Sequence, residues 1–74
     1  MITVDVTELK IAAPPSHNKL ALNENATVAD LLTQYPHDGS GFMRIVIVNK
    51  RRANDTTLLH NQDQVTIIYM LAGG

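Results

Sequence analysis

The sequence predicts an α+β roll, a small mixed sheet with one helix across one face. Three observations lead there. Segments of strand-like alternation lie near both ends and in the middle of the chain, a single stretch between them switches to helical period, and no segment repeats. At 74 residues the chain has room for one domain and no second, so residues 1–74 are read as a single unit.

"ITVDVTEL" opens the chain with Ile2, Val4 and Val6 on one face and Thr3, Asp5 and Thr7 on the other, rich in β-branched side chains: a half-buried strand. "AAPPSHN" (Ala12 to Asn18) is read as the turn, since two prolines lack amide donors and Ser, His and Asn favour turns. "KLALNE" then alternates again, with Leu20 and Leu22 on one side, which completes a hairpin. In "NATVADLLTQYP", Val28, Leu31, Leu32 and Tyr35 recur at i, i+3, i+4 and i+7, the stripe a helix needs to face a sheet. Thr27 and Asp30 have capping-box spacing, and Pro36 disfavours helix at Tyr35.

"HDGSG" (His37 to Gly41) is expected to be a loop, and "FMRIVIVN" a strand inside the sheet, because both of its faces are apolar. "NKRRANDTTLLHNQDQ" is polar and turn-rich, with Leu58 and Leu59 expected to tuck against the core. "VTIIYML" (Val65 to Leu71) is the last strand. Its alternation assigns Val65, Ile67 and Tyr69 to the core and leaves Ile68 and Met70 on the open face, a candidate partner-binding surface together with Leu71.

Composition narrows the function. Six basic and seven acidic residues give a net charge of −1, so no global field attracts nucleic acid or an anionic membrane. The absence of cysteine excludes a disulfide framework, a thiolate nucleophile and a cysteine-bound metal. No run approaches the roughly 20 apolar residues of a membrane span and the start lacks a signal-peptide pattern, so a cytoplasmic location is expected.

Most candidate sites weaken under inspection. "HDGSG" lacks the Gly-Lys-Ser/Thr ending and the strand-before, helix-after setting of a phosphate loop. His17, His37 and His60 fall in three separate expected loops without metal-ligand spacing. Lys50, Arg51 and Arg52 form the only charge run, expected at a hairpin tip where cations are most often simply solvated; with three aromatic residues in the chain, it suits an acidic protein partner better than a nucleic acid. The Gly73-Gly74 end differs in kind. With glycine at about 7% of residues, a pair at two given positions arises by chance in roughly one chain in two hundred. Glycines without a Cβ can be drawn extended through a narrow channel, and the reactive group delivered that way is the Gly74 carboxylate.

With these features in place, the chain resembles the ThiS/MoaD-type sulfur-carrier proteins of the ubiquitin-like β-grasp superfamily. The likeness covers essentially the whole chain: the strand-strand-helix-strand-strand order, "ATVADLL" (Ala26 to Leu32), "IVIVN" (Ile45 to Asn49) and "LHNQDQVTIIYMLAGG" (Leu59 to Gly74). The last is the most specific, with Leu59, Asp63, Val65 and Gly73-Gly74 on the family's pattern. Gln62 stands where the family commonly has glycine, a departure expected to bear on the turn before the last strand. The prolines frequent before the glycines of molybdopterin-type carriers are replaced by Met70, Leu71 and Ala72.

The resemblance implies a four- to five-stranded sheet, a flexible tail over residues 71–74, and a protein substrate in place of a catalyst. It could also be a non-catalytic small subunit of a sulfur-transfer enzyme. A ubiquitin-activating-type adenylyltransferase supplying ATP-Mg would adenylate Gly74, with Gly73 and Ala72 threading its channel. A sulfur donor would then yield a thiocarboxylate for a sulfur-acceptor synthase making thiamin thiazole, molybdopterin or another product. No cofactor or metal is expected on the chain itself. The alternative is a ubiquitin-like modifier joined through Gly74 to lysine, and a third is a β-grasp interaction domain with an inert tail.

Overall fold

Strand β1 (Ile2–Leu9) buries Ile2, Val4 and Val6 and turns Thr3 and Asp5 outward, as its alternation requires. The computed structural model describes residues 1–36 and 42–71. Within them β1 is followed by β2 (Ser16–Leu22), α1 (Val28–Leu32), β3 (Phe42–Val48), β4 (Arg51–Ala53) and β5 (Gln64–Leu71). The sheet has five strands in the order β2-β1-β5-β3-β4, with β1 and β5 parallel at its centre and the other pairs antiparallel. This is the expected α+β roll, at the upper end of the expected strand number.

Several boundaries differ from the sequence reading. The β1–β2 turn ends at Pro15, and Ser16, His17 and Asn18 already pair with Glu8, Thr7 and Val6. The prolines confine the turn, but the polar residues after them accept an extended backbone once β1 supplies a ladder. The helix is short, because beyond Leu32 the chain tightens into three-residue bonds from Thr33, Gln34 and Tyr35 to the carbonyls of Asp30, Leu31 and Leu32. Leu32 and Tyr35 still pack against the core from this tightened turn. Arg51 and Arg52 do not sit in the hairpin tip; they open β4 behind a two-residue turn in which Asn49 and Lys50 have φ of 51° and 70°. Positive φ at both positions marks the type I′ geometry that matches sheet twist.

The helix start is over-determined. Thr27 and Asp30 form a complete capping box. The next free amides, of Val28 and Ala29, donate to the carbonyls of Thr57 and Asp55 at 3.0 Å each. The 55–59 segment is thereby latched to the helix, and Leu59 N–H returns the contact to Ala26 at 2.8 Å. Of the two leucines expected to tuck in, Leu59 is 2% exposed and Leu58 51%, since one extended step turns the second outward. Val28 and Leu31 meet Val4, Val6, Val65 and Ile67 in one cluster on this side of the sheet. Truncating Leu31 to alanine would cost about 2–5 kcal/mol through lost burial and the cavity left behind.

The turn into β5 centres on Asp63, a buried carboxylate with a full set of partners. Its Oδ2 accepts from His60 N–H at 2.7 Å and its Oδ1 from Asn49 Nδ2 at 2.8 Å. Gln62 has φ 70°, the left-handed conformation that glycine takes at no cost, and its N–H donates to Thr3 at 2.7 Å.

Candidate functional site

The end of β5 is where the expected chemistry and the described structure meet. Its ladder with β1 finishes at Leu9↔Ile68, whereas its ladder with β3 continues to Phe42↔Leu71. Leu71 therefore lies within the strand, so the expected tail boundary at residue 71 falls inside β5. Ala72, Gly73 and Gly74 lie outside the described residues, as does the loop expected over 37–41.

Ile68 and Met70 face away from the helix, as their alternation with the core residues Val65, Ile67 and Tyr69 predicts. Register adds three neighbours that sequence reading missed. Met43 pairs with Met70, Ile45 with Ile68, and Leu9 with Ile68 from the other side. Met43, Met70 and Leu9 are 48, 43 and 37% exposed, so this is an apolar patch at the tail end of the open face. Ile47 and Arg52, paired across β3 and β4, continue the same face toward the basic run. The missing signal was long-range: strand order alone brings residue 9 beside residue 68.

On the opposite side of the same strand end lies a polar cluster. Tyr69 Oη donates to Glu8 Oε2 at 2.7 Å, and Glu8 Oε1 accepts from Ser16 Oγ at 3.3 Å. Lys10 Nζ stands 4.0 Å from the same Oε2 and 5.6 Å from the Tyr69 ring centre. Arg44, directly across from Tyr69, donates to the Tyr35 carbonyl. Burial pushes the Tyr69 hydroxyl up to about 12, helped by the Glu8 hydrogen bond and charge and opposed by Arg44. Tyr35 is raised as well, by burial first and then by Glu8, with Asn18 opposing. One signal could have found this cluster. Glu8 continues the inward series Val4, Val6, so an acid was due on the buried face and needed a partner.

The histidines do not converge. His17 lies in β2 with its Nδ1 2.9 Å from Thr7 Oγ1, His60 is exposed, and His37 is outside the described residues. Among the described residues no group of three His, Asp or Glu side chains could hold a metal ion. Nor is any helix there long and apolar enough to cross a membrane.

The profile of the ThiS family matches residues 6–74. The chain belongs to the ThiS family. This ThiS-family chain also matches a ubiquitin from Caldiarchaeum subterraneum, at 19% identity over 97% of this chain and 99% of that one, with a TM-score of 0.63. That likeness establishes the ubiquitin-like β-grasp fold. Comparison with curated proteins gives no match. Membership makes this chain a small ubiquitin-like sulfur carrier that works with an activating enzyme and sulfur-transfer partners.

Proposed function

We propose that the Gly74 carboxylate is the group that carries sulfur. A carboxylate oxygen attacks the α-phosphorus of ATP held with Mg by a ubiquitin-activating-type enzyme, and pyrophosphate leaves. A hydrosulfide-class donor then attacks the acyl carbon, the bond to AMP breaks, and a C-terminal thiocarboxylate remains. A sulfur-acceptor synthase, in thiamin thiazole, molybdopterin or related biosynthesis, takes that sulfur. The expected setting is the cytoplasm, where ATP is available.

The observation that carries this reading is the placement of the apolar patch. Met70 stands four residues before Gly74, so a partner seated on Ile68, Met70 and Met43 has the carboxylate within about 14 Å of extended chain. Docking and delivery thus lie on one strand end. Gly73 and Ala72 supply the narrow segment between them, and Leu71 the last paired residue before it.

ATP–pyrophosphate exchange by the activating enzyme from the same organism tests this. The full chain should support exchange and a chain lacking Gly74 should not. Equal exchange from both would overturn the assignment.

A further inference from the structure

Two ladders support β5 from Val65 to Ile68, but past Ile68 only β3 does. On the β1 side, the contact that continues beyond the ladder is a side-chain one: Tyr69 Oη reaches back to Glu8 Oε2 at 2.7 Å. Glu8 is itself held, by Ser16 Oγ from β2 at 3.3 Å and by Lys10 Nζ at 4.0 Å, and its side chain is only 12% exposed. Three strands are therefore tied together at the end from which the tail departs. Stability alone does not call for this arrangement, because an apolar pair of similar size avoids the desolvation of a carboxylate and packs as well.

We propose that the Tyr69–Glu8 hydrogen bond is a positioning strut that sets the direction in which the C-terminal tail leaves the sheet, so that Gly74 reaches the adenylating site once the open face is docked. The proposal rests on the reading that Gly74 is the reacting group. Three residues beyond Leu71 reach at most about 10 Å. A swing of about 15° at its root moves the carboxylate by about 3 Å, and misplacements of that order cost reaction rate far more than binding. Docking through Ile68 and Met70 fixes the sheet on its partner; the strut, on the other face, fixes the strand end relative to the sheet. Tyr69 and Glu8 are thus positioning residues and touch no reacting atom.

The test is a double-mutant cycle on Tyr69 and Glu8, read as kcat and KM for the carrier in adenylate formation, with concentrations corrected for the folded fraction. Tyr69→Phe and Glu8→Ala should each lower kcat about five- to tenfold with KM within about twofold, and the double variant should fall no further than either single one. Glu8→Gln, whose amide oxygen still accepts from Tyr69, should restore most of the rate. Either single variant carries the test if the other fails to fold. Wild-type kcat in the folded single variants, a change confined to KM, or additive losses would overturn the strut and leave the Gly74 reading intact. An intact wild-type chain that is not adenylated at all would overturn both.

Discussion

Asn49 Nδ2 donates to Asp63 Oδ1 at 2.8 Å, joining the β3–β4 turn to the turn that launches β5. The tie is reciprocal, because Asn49 Oδ1 accepts from Gln64 N–H at 2.9 Å and Asn49 N–H donates to Gln64 at 2.8 Å. It lies at the opposite end of β5 from the tail and therefore serves the fold. Asp63→Ala strands the Asn49 amide and the His60 N–H, which should cost about 2–4 kcal/mol. In a domain of this size a thermal melt should then shift down by about 10–20 °C. A shift of under about 2 °C would show the carboxylate to be dispensable.

Gln62 pays for its left-handed backbone with a side-chain clash that glycine lacks. Left-handed φ costs an ordinary residue about 1–2 kcal/mol, and the extra entropy of an unfolded glycine returns about 0.5–1. Gln62→Gly should therefore stabilise the protein by about 0.5–1 kcal/mol, measured by urea denaturation with an unchanged m-value. Destabilisation would mean that the Gln62 side chain holds the turn in a way its φ does not reveal.

The Tyr69 hydroxyl, pushed up to about 12 in the fold from an ordinary 10.0, makes stability depend on pH in the alkaline range. The folded state holds its proton more tightly than the unfolded chain does. The contribution is thus fully present below pH 10 and is lost as pH rises from 10 toward 12. Denaturation at pH 8, 10 and 11.5 should show wild type losing more stability than Tyr69→Phe across that window. Parallel curves would place the hydroxyl in a solvent-like setting.

Met70 is exposed and pairs with Met43 at the centre of the proposed docking patch. Met70→Glu should leave the melting temperature within about 2 °C, since surface substitutions away from special features change stability by under about 0.5 kcal/mol. It should raise KM for the activating enzyme at least about tenfold, because a charge is then desolvated without a partner on docking. An unchanged KM would move the docking surface elsewhere.

Local features read well from the residues alone. Alternation placed β1 and the faces of β5, and the spacing of Thr27 and Asp30 marked the helix start, because each depends on neighbours within a few positions. What escaped was decided by pairing. Ser16 to Asn18 became strand because β1 offered them a ladder, and Arg51 to Ala53 is too short and charged to signal a strand without β3 beside it. Leu58 and Leu59 are told apart only by which carbonyl the helix start latches onto. The candidate site divided the same way: Ile68 and Met70 followed from β5 itself, whereas Leu9, Met43 and Ile45 needed the register. The Tyr69–Glu8 contact joins positions 61 residues apart, a distance no local pattern bridges.

Intact mass spectrometry of the chain, after incubation with its activating enzyme, ATP-Mg and a sulfur donor, tests the central claim most directly. A gain of about 16 Da is expected, as sulfur replaces one carboxyl oxygen, mapped to Gly74 and absent when ATP is withheld. An unchanged mass under conditions where the enzyme activates would contradict it, as would high-mass lysine conjugates without any thiocarboxylate.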